Sequence, residues 1–345
     1  MVHAARLTAQ LLAGPPARDP VAVAERLLAV QGQDPRGARL AVRARTEGLT
    51  AADVDRALTE DRSLLITWLN RGTLHLVRSE DYPWLQALTT PPLLTQSSRR
   101  LAQEGVPPGD AERAIAEVER SLAADGPLNR DQLRERVDAI GVRTERQALV
   151  HILFAASLRG LIVRGPMVDG KHGFVLVHDW LGQQKPVDRD RALPELARRY
   201  LAGHRPATDR DLARWAGLPL RDARAGLSAI ASEIEESGDG LVDLRGRPES
   251  AELPPPRLLG PYDPLLLGWT SRELVLGEHQ ELVTVNGIFR PFALVKGRAV
   301  ASWSMPRGEV VLEPFGRLAK ADAAALRAEA ADVERFLAAG RLQQR

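Results

Sequence analysis

The stretch over residues 129–176 constrains the fold more than any other part of the chain. Asn129 is followed three residues later by Gln132, which predicts a capped helix start, and apolar residues recur at helical spacing up to Gly141. A second helix is predicted over about 145–159, followed by the strand LIVRG, the turn VDGKHG and the strand FVLV. Two helices followed by a hairpin are typical of a winged helix, whose second helix reads the DNA major groove.

The same pattern recurs on both sides of this stretch. Downstream, Thr208 and Asp211 predict another capped helix, followed by a helix over about 219–231 and a short hairpin turned by SGDG. Upstream, helices are predicted over about 20–30, 36–47 and 51–60, followed by the strands LLITWL and TLHLV around Asn70–Gly72. Three recognition helices are therefore predicted, near 36–47, 145–159 and 219–231.

These patterns predict an α+β fold that is mainly helical, with tandem winged-helix units, a β-rich C-terminal segment and a closing helix over about 320–338. In the β-rich segment, strands run through LVTVNGIFRPFALVKGRAVASWSM, with turns at Asn286–Gly287 and Lys296–Gly297. The predicted domains are a first winged-helix unit (1–90), a connecting helix (91–122), a second unit (123–182), a third unit (189–250) and the β-rich segment (257–345).

Composition narrows the classes of function. The absence of cysteine excludes disulfides, thiolate metal sites and cysteine nucleophiles, and predicts a cytoplasmic protein. No apolar run is long enough for a transmembrane helix, and the N-terminal apolar stretch is too short for a signal peptide. A net charge of +2 does not by itself indicate nucleic-acid binding. Arginine supplies 43 of the 47 basic residues, which suits phosphate contacts but also follows from the codon bias of a GC-rich genome.

Four strings resemble a bacterial family of winged-helix DNA glycosylases of the AlkZ type (azinomycin resistance) and the YcaQ type (crosslink repair). They occur in the family's order, and together they span most of the chain: VQGQDPRGARLAVRAR (30–45), TWLNRGTLHLVRSEDYPWL (67–85), LLGPYDPLLLGW (258–269) and VNGIFRPFALVKGRAVASW (285–303). The resemblance implies three winged-helix units around DNA, a C-terminal hairpin that approaches the duplex, and a catalytic Q-x-Q or Q-x-D loop in the first unit.

The Q-x-Q match is Gln31-Gly32-Gln33, which makes Gln31 and Gln33 the predicted catalytic residues. The Q-x-Q form resembles the self-resistance branch of the family, which acts on bulky N7-alkylguanine adducts. Both side chains are expected to be partly exposed before DNA binds. Without the resemblance, both glutamines would be ordinary polar residues that follow a helix. Asp34 is a rival carboxylate, although its place before Pro35 favours a turn. His75 is a second supporting candidate, because alternation along TLHLV places it opposite the leucines, facing outward.

Five arginines are candidate DNA contacts, each with an ordinary solvated side chain as the alternative: Arg36, Arg71, Arg221, Arg224 and Arg290. No metal-ligand spacing, phosphate-binding loop or dinucleotide motif occurs, so neither a metal nor another cofactor is predicted. The predicted partner is double-stranded DNA carrying alkylated guanine. A monomer associated with the nucleoid is expected, because an array of units in one chain can wrap one duplex, and no membrane association is predicted.

Two other functions compete with a monofunctional DNA glycosylase. One is a transcriptional regulator that uses the same winged helices to read sequence. The other is an architectural protein that shields lesions without chemistry. The Q-x-Q loop and the C-terminal segment favour the glycosylase, and no effector pocket or dimerisation coiled coil is recognisable in the sequence.

Overall fold

The computed structural model describes residues 2–184, 186–247 and 253–338. These residues form two compact units. The first unit combines the chain up to Val54 with the chain from Leu193 onward, and the second comprises Asp55–Ala192. Across the described residues, no helix has the length and apolar character needed to cross a membrane. The five segments predicted from the sequence are finer than this division and stay predictions.

The N-terminal part of the first unit is helical, with α1 (Val2–Ala9), α2 (Pro20–Leu27), β1 (Val30–Gln31), α3 (Pro35–Arg43) and α4 (Ala51–Thr59), which continues into the second unit. Helices α2 and α3 begin in the same way, with an aspartate at the N-cap and a proline at the first helical position. Asp19 accepts from the Ala22 amide at 2.7 Å, and Asp34 accepts from the Gly37 amide at 2.7 Å. Local sequence therefore determines where both helices start.

The second unit contains β2 (Leu64–Leu69), β3 (Thr73–Arg78), α5 (Tyr82–Thr89), α6 (Leu94–Gln103), α7 (Pro108–Asp125), α8 (Arg130–Ala139), α9 (Ala148–Leu158), β4 (Ile162–Val168), β5 (Lys171–Leu176) and α10 (Val177–Leu181). Its strands lie in the antiparallel order β3-β2-β4-β5. The capping box predicted at Asn129 and Gln132 is confirmed, with the Gln132 side chain accepting from the Asn129 amide at 2.8 Å. The order α8–α9–β4–β5 is that of a winged helix.

Helix α9 corrects one prediction. It was expected to present a face to the DNA major groove, but none of its residues is exposed. Its sequence, ALVHILFAASL, is apolar all round, which is typical of a helix buried in a core. A base-reading helix needs a polar exposed face, and α9 has none.

The chain returns to the first unit through α11 (Arg189–His204) and continues with α12 (Asp209–Ala216), α13 (Leu220–Ala229), β6 (Ile234–Glu236), β7 (Val242–Leu244), β8 (Arg257–Leu259), α14 (Glu273–Leu276), β9 (Phe292–Val295), β10 (Arg298–Ser304), β11 (Val311–Pro314) and α15 (Lys320–Ala338). Strands β6 and β7 form a hairpin, and the other four form a sheet in the order β11-β10-β9-β8. The predicted capping box at Thr208 and Asp211, the mainly helical α+β class and the closing helix are confirmed.

One stretch of the β-rich segment that was predicted to be a strand does not form one. Residues 282–290 form no strand, only a single bridge between Val283 and Phe289 that flanks a tight turn. In this turn the Gly287 amide donates to the Thr284 carbonyl oxygen at 2.9 Å. Arg290 therefore follows a short loop, and the first strand after it is β9. The predicted turn at Lys296–Gly297 joins β9 to β10.

Candidate active site

The Gln31-Gly32-Gln33 segment links β1 to α3. Asp34, which follows it, is extended (φ −107°, ψ 116°) and caps α3 through the Gly37 amide. Asp34 is therefore extended, as expected for a residue that precedes proline, and its position is that of a helix cap rather than of a regular turn. Because its carboxylate is engaged as an N-cap, the candidate chemistry in this segment rests on the two amide side chains.

The two glutamines differ in exposure. Gln33 is exposed, as predicted, whereas the expectation of partial exposure is wrong for Gln31, which is only 6% exposed. Among the described residues, no donor contacts the side-chain oxygen Oε1 of Gln31. Leaving a buried acceptor unsatisfied costs about 1–3 kcal/mol, so such an atom calls for an explanation. An acceptor of this kind can receive a hydrogen bond from a water molecule or face a developing positive charge.

Close backbone packing supports α3 behind this loop. A Cβ atom placed on Gly37 would lie 2.5 Å from the Pro261 carbonyl oxygen, and one on Gly260 would lie 2.8 Å from Cβ of Leu40. Arg43 donates to the Leu258 carbonyl oxygen at 3.1 Å. Two of the four sequence strings, 30–45 and 258–269, therefore pack directly against each other.

A buried ion pair fixes the end of the helix. Arg45 and Asp263 are both fully buried and form two parallel hydrogen bonds, of 2.8 and 2.9 Å. The remaining Arg45 donors contact the Ala41 carbonyl oxygen and both the backbone and side-chain oxygens of Gln10. A buried charge is tolerated when its partner and all its donors are satisfied, as they are here.

His75 lies on β3 in the second unit. The prediction that it faces outward is wrong, because both faces of β3 are covered and His75 is 3% exposed. Its Nδ1 donates to the Thr73 carbonyl oxygen at 2.9 Å. Burial, reinforced by the nearby charge of Arg71, lowers the pKa of His75 to about 3. The imidazole is therefore neutral at physiological pH.

Three further polar side chains with buried atoms lie on the hairpin that carries His75, and sequence reasoning missed them. In the β2–β3 register Thr67 is paired with His75, and Thr73 lies two residues along the same face. Within the described structure, the hydroxyls of Thr67 and Thr73 and both amide atoms of Asn70 lack hydrogen-bond partners. We call Thr67, Asn70, Thr73 and His75 the hairpin polar cluster. The signal available in the sequence was the run of polar residues within an otherwise apolar hairpin.

The five candidate DNA-contacting arginines are all exposed: Arg36, Arg71, Arg221, Arg224 and Arg290. Arg36 lies in the first turn of α3, close in sequence to Gln33. The Arg221 side chain is 87% exposed, whereas Arg224 donates to Asp209 at 2.7 Å and would have to exchange this partner for a phosphate. Their roles in binding stay predictions. No group of metal-ligating side chains is present in the described parts of the chain.

Comparison with known proteins shows which family this chain is similar to. A sequence profile of AlkZ-like DNA glycosylases matches residues 24–336. The chain is 32% identical to an interstrand DNA cross-link repair glycosylase of Streptomyces sahachiroi, with 94% of this chain and 92% of that protein covered. It also resembles the structure of the Streptomyces sahachiroi DNA glycosylase AlkZ, with a TM-score of 0.79 and 28% identity over 97% of this chain and 95% of the other.

Proposed function

Because the chain belongs to the AlkZ-like family of DNA glycosylases, we propose that it hydrolyses the N-glycosidic bond of bulky N7-alkylguanine adducts or crosslinks in duplex DNA. The main observation that supports this proposal lies in the Gln31-Gly32-Gln33 segment, where the Oε1 atom of Gln31 is buried and has no hydrogen-bond partner among the described residues. The relative from Streptomyces sahachiroi is described as acting on interstrand crosslinks, which supports the choice of bulky lesions. Self-resistance to a DNA-alkylating natural product, or general repair, is the biological role that we propose.

The chemistry of such a lesion suits amide side chains. Alkylation at N7 gives the guanine a positive charge, so cleavage of the C1′–N9 bond returns an electron pair to the base and releases it neutral. Water then bonds to C1′ and loses a proton to solvent. The protein must stabilise the positive sugar and position that water, and carbonyl oxygens of Gln31 and Gln33 can do both without titrating.

The proposed substrate is duplex DNA held by a monomer within the bacterial cytoplasm. The candidate phosphate contacts are Arg36, Arg71, Arg221, Arg224 and Arg290, all of which are exposed. The loop before Arg290 supports an approach to the duplex, because Val285 at its turn is fully exposed and Ile288 is half exposed. Apolar side chains of this kind insert between base steps in many minor-groove proteins. The burial of α9 disfavours a regulator that reads sequence through that helix.

The proposal is tested with duplexes that carry a single N7-methylguanine or a bulky N7-guanine adduct. After incubation with the protein, heating cleaves the strand at abasic sites. We expect cleavage at the lesion above the rate of spontaneous depurination in a matched protein-free sample, and none in an undamaged duplex. A protein that binds one promoter sequence and leaves every adduct intact would instead be a regulator.

Excision is expected to be nearly independent of pH between about 6 and 8. Neither glutamine titrates, and His75, whose pKa is lowered to about 3, stays neutral over this range. Single-turnover rates measured on one adduct across this range check the prediction, with spontaneous depurination subtracted at each pH. A titration with a midpoint near 6.5 would contradict it, since that behaviour requires an exposed histidine.

We further propose that the hairpin polar cluster contacts substrate or its bound water, which Thr67→Val tests. Valine has nearly the shape of threonine and removes a buried hydroxyl that lacks a partner, so the free energy of unfolding should rise by about 1 kcal/mol. Excision should nevertheless slow, by about tenfold for the loss of one hydrogen bond. Chemical denaturation and single-turnover assays measure the two effects.

The matched control is Thr90→Val in the same unit. The Thr90 hydroxyl is buried but donates to the Gln86 carbonyl oxygen at 2.8 Å, so this variant should lose stability and keep its excision rate. If Thr67→Val is also less stable and equally active, the Thr67 hydroxyl has a structural partner and no role in substrate binding.

A further inference from the structure

The first unit contains a cleft of about 710 Å³ that the proposed chemistry does not use. The loop before α2, helices α2 and α11, and Arg247 contribute to its walls. Its charged lining residues are five arginines and one glutamate: Arg18, Arg26, Arg199, Arg205, Arg247 and Glu25. We call this feature the arginine cleft.

Two of these arginines are held in place by the protein. Arg205 has a side chain only 8% exposed and contacts Asp243 at 3.0 Å. Arg199 donates to the backbone carbonyl oxygen of Glu25 at 2.8 Å. Their orientation is therefore fixed before any ligand arrives, which reduces the entropy that binding would cost.

Arg26 and Arg247 lie in a cleft where positive side chains outnumber negative ones five to one. Neither forms an ion pair with a carboxylate among the described residues. Burial lowers the pKa of Arg26, the positive charges of Arg247 and Arg205 lower it further, and the charge of Glu25 only partly opposes them. Like charges brought together in a partly desolvated cleft repel each other, and a bound anion would relieve this repulsion.

We propose that the arginine cleft binds a phosphate group. Guanidinium groups donate two hydrogen bonds in a planar fork that matches phosphate oxygens. Between the arginines the lining is apolar, with Leu11, Pro15 and Ala22 among its residues, and can pack against a sugar or a base attached to the phosphate. The phosphate is either part of a DNA backbone or part of a free phosphorylated small molecule.

The test is the double variant Arg26→Gln/Arg247→Gln in the full chain. Inorganic tripolyphosphate and a short undamaged duplex are titrated separately against each protein. We expect affinity for the probe that uses the cleft to fall by about ten- to a hundredfold, since charge-assisted hydrogen bonds are lost. The control is Arg317→Gln/Arg327→Gln, which removes two exposed charges outside the cleft and should change affinity little.

The two probes identify the source of the phosphate. A loss confined to tripolyphosphate assigns the cleft to a free phosphorylated molecule, and a loss with the duplex assigns it to the DNA backbone. Unchanged affinity for both probes, or an equal loss in the control, overturns the proposal. The variant Arg26→Lys/Arg247→Lys keeps the charges and should lose less affinity, which separates ligand binding from misfolding. Because no readout depends on excision, failure of the glycosylase proposal would leave this result intact.

Discussion

Replacing Gln31 or Gln33 by alanine is expected to slow excision of a bulky N7-guanine adduct by about ten- to a thousand-fold, by analogy with the removal of one preorganised polar group from a catalytic site. Gln31 should show the larger effect, because its Oε1 atom is buried and has no described partner that would compete for water or substrate. Single-turnover rates with saturating protein measure the chemical step separately from DNA binding.

The losses of excision rate caused by Gln31→Ala and Gln33→Ala are expected not to add in the double variant. If both amides hold one water molecule, the first substitution already releases it, and the double variant resembles the slower single variant. The control is Gln103→Ala, an exposed glutamine at the end of α6, which should excise at the wild-type rate. Undamaged duplex should bind all four variants with similar affinity. A double variant that excises at the wild-type rate would move the chemistry to another group.

Replacing Asp263 by asparagine is expected to destabilise the protein by about 3–5 kcal/mol, because it leaves the Arg45 guanidinium buried without a counter-charge. Both side chains are fully buried, so solvent cannot screen the unpaired charge that remains on Arg45. Denaturation in urea, followed by circular dichroism, measures the loss. The predicted loss is large relative to the total stability of a typical domain.

Two comparisons make this result interpretable. Asp125→Asn breaks a half-exposed pair with Arg136 and should cost about 0–1 kcal/mol. Arg45→Met/Asp263→Leu removes both charges and should be more stable than Asp263→Asn, because no unpaired charge remains. If Asp263→Asn and Asp125→Asn cost the same, the buried pair does not anchor α3 against the 258–263 segment.

Local chemistry determined the features that the sequence predicted correctly. The capping boxes at Asn129 and Thr208 each join atoms within three residues, so the residue types and their spacing suffice. The Q-x-Q segment was also identified from neighbouring residues, through its resemblance to a family, and its catalytic role stays a prediction. In each case the informative residues are adjacent in the chain.

Burial and long-range pairing were decided only by the tertiary structure. Arg45 and Asp263 lie 218 residues apart, and the arginine cleft combines Arg26 with Arg247, so no local pattern indicates either feature. Alternation along β3 correctly separated its two faces but could not show that both are covered, and His75 was therefore assigned to the surface. The same reason explains why the burial of Gln31 and of helix α9 was not predicted from the sequence. A sequence specifies which side chains share a face, whereas the elements packed against that face decide whether water reaches it.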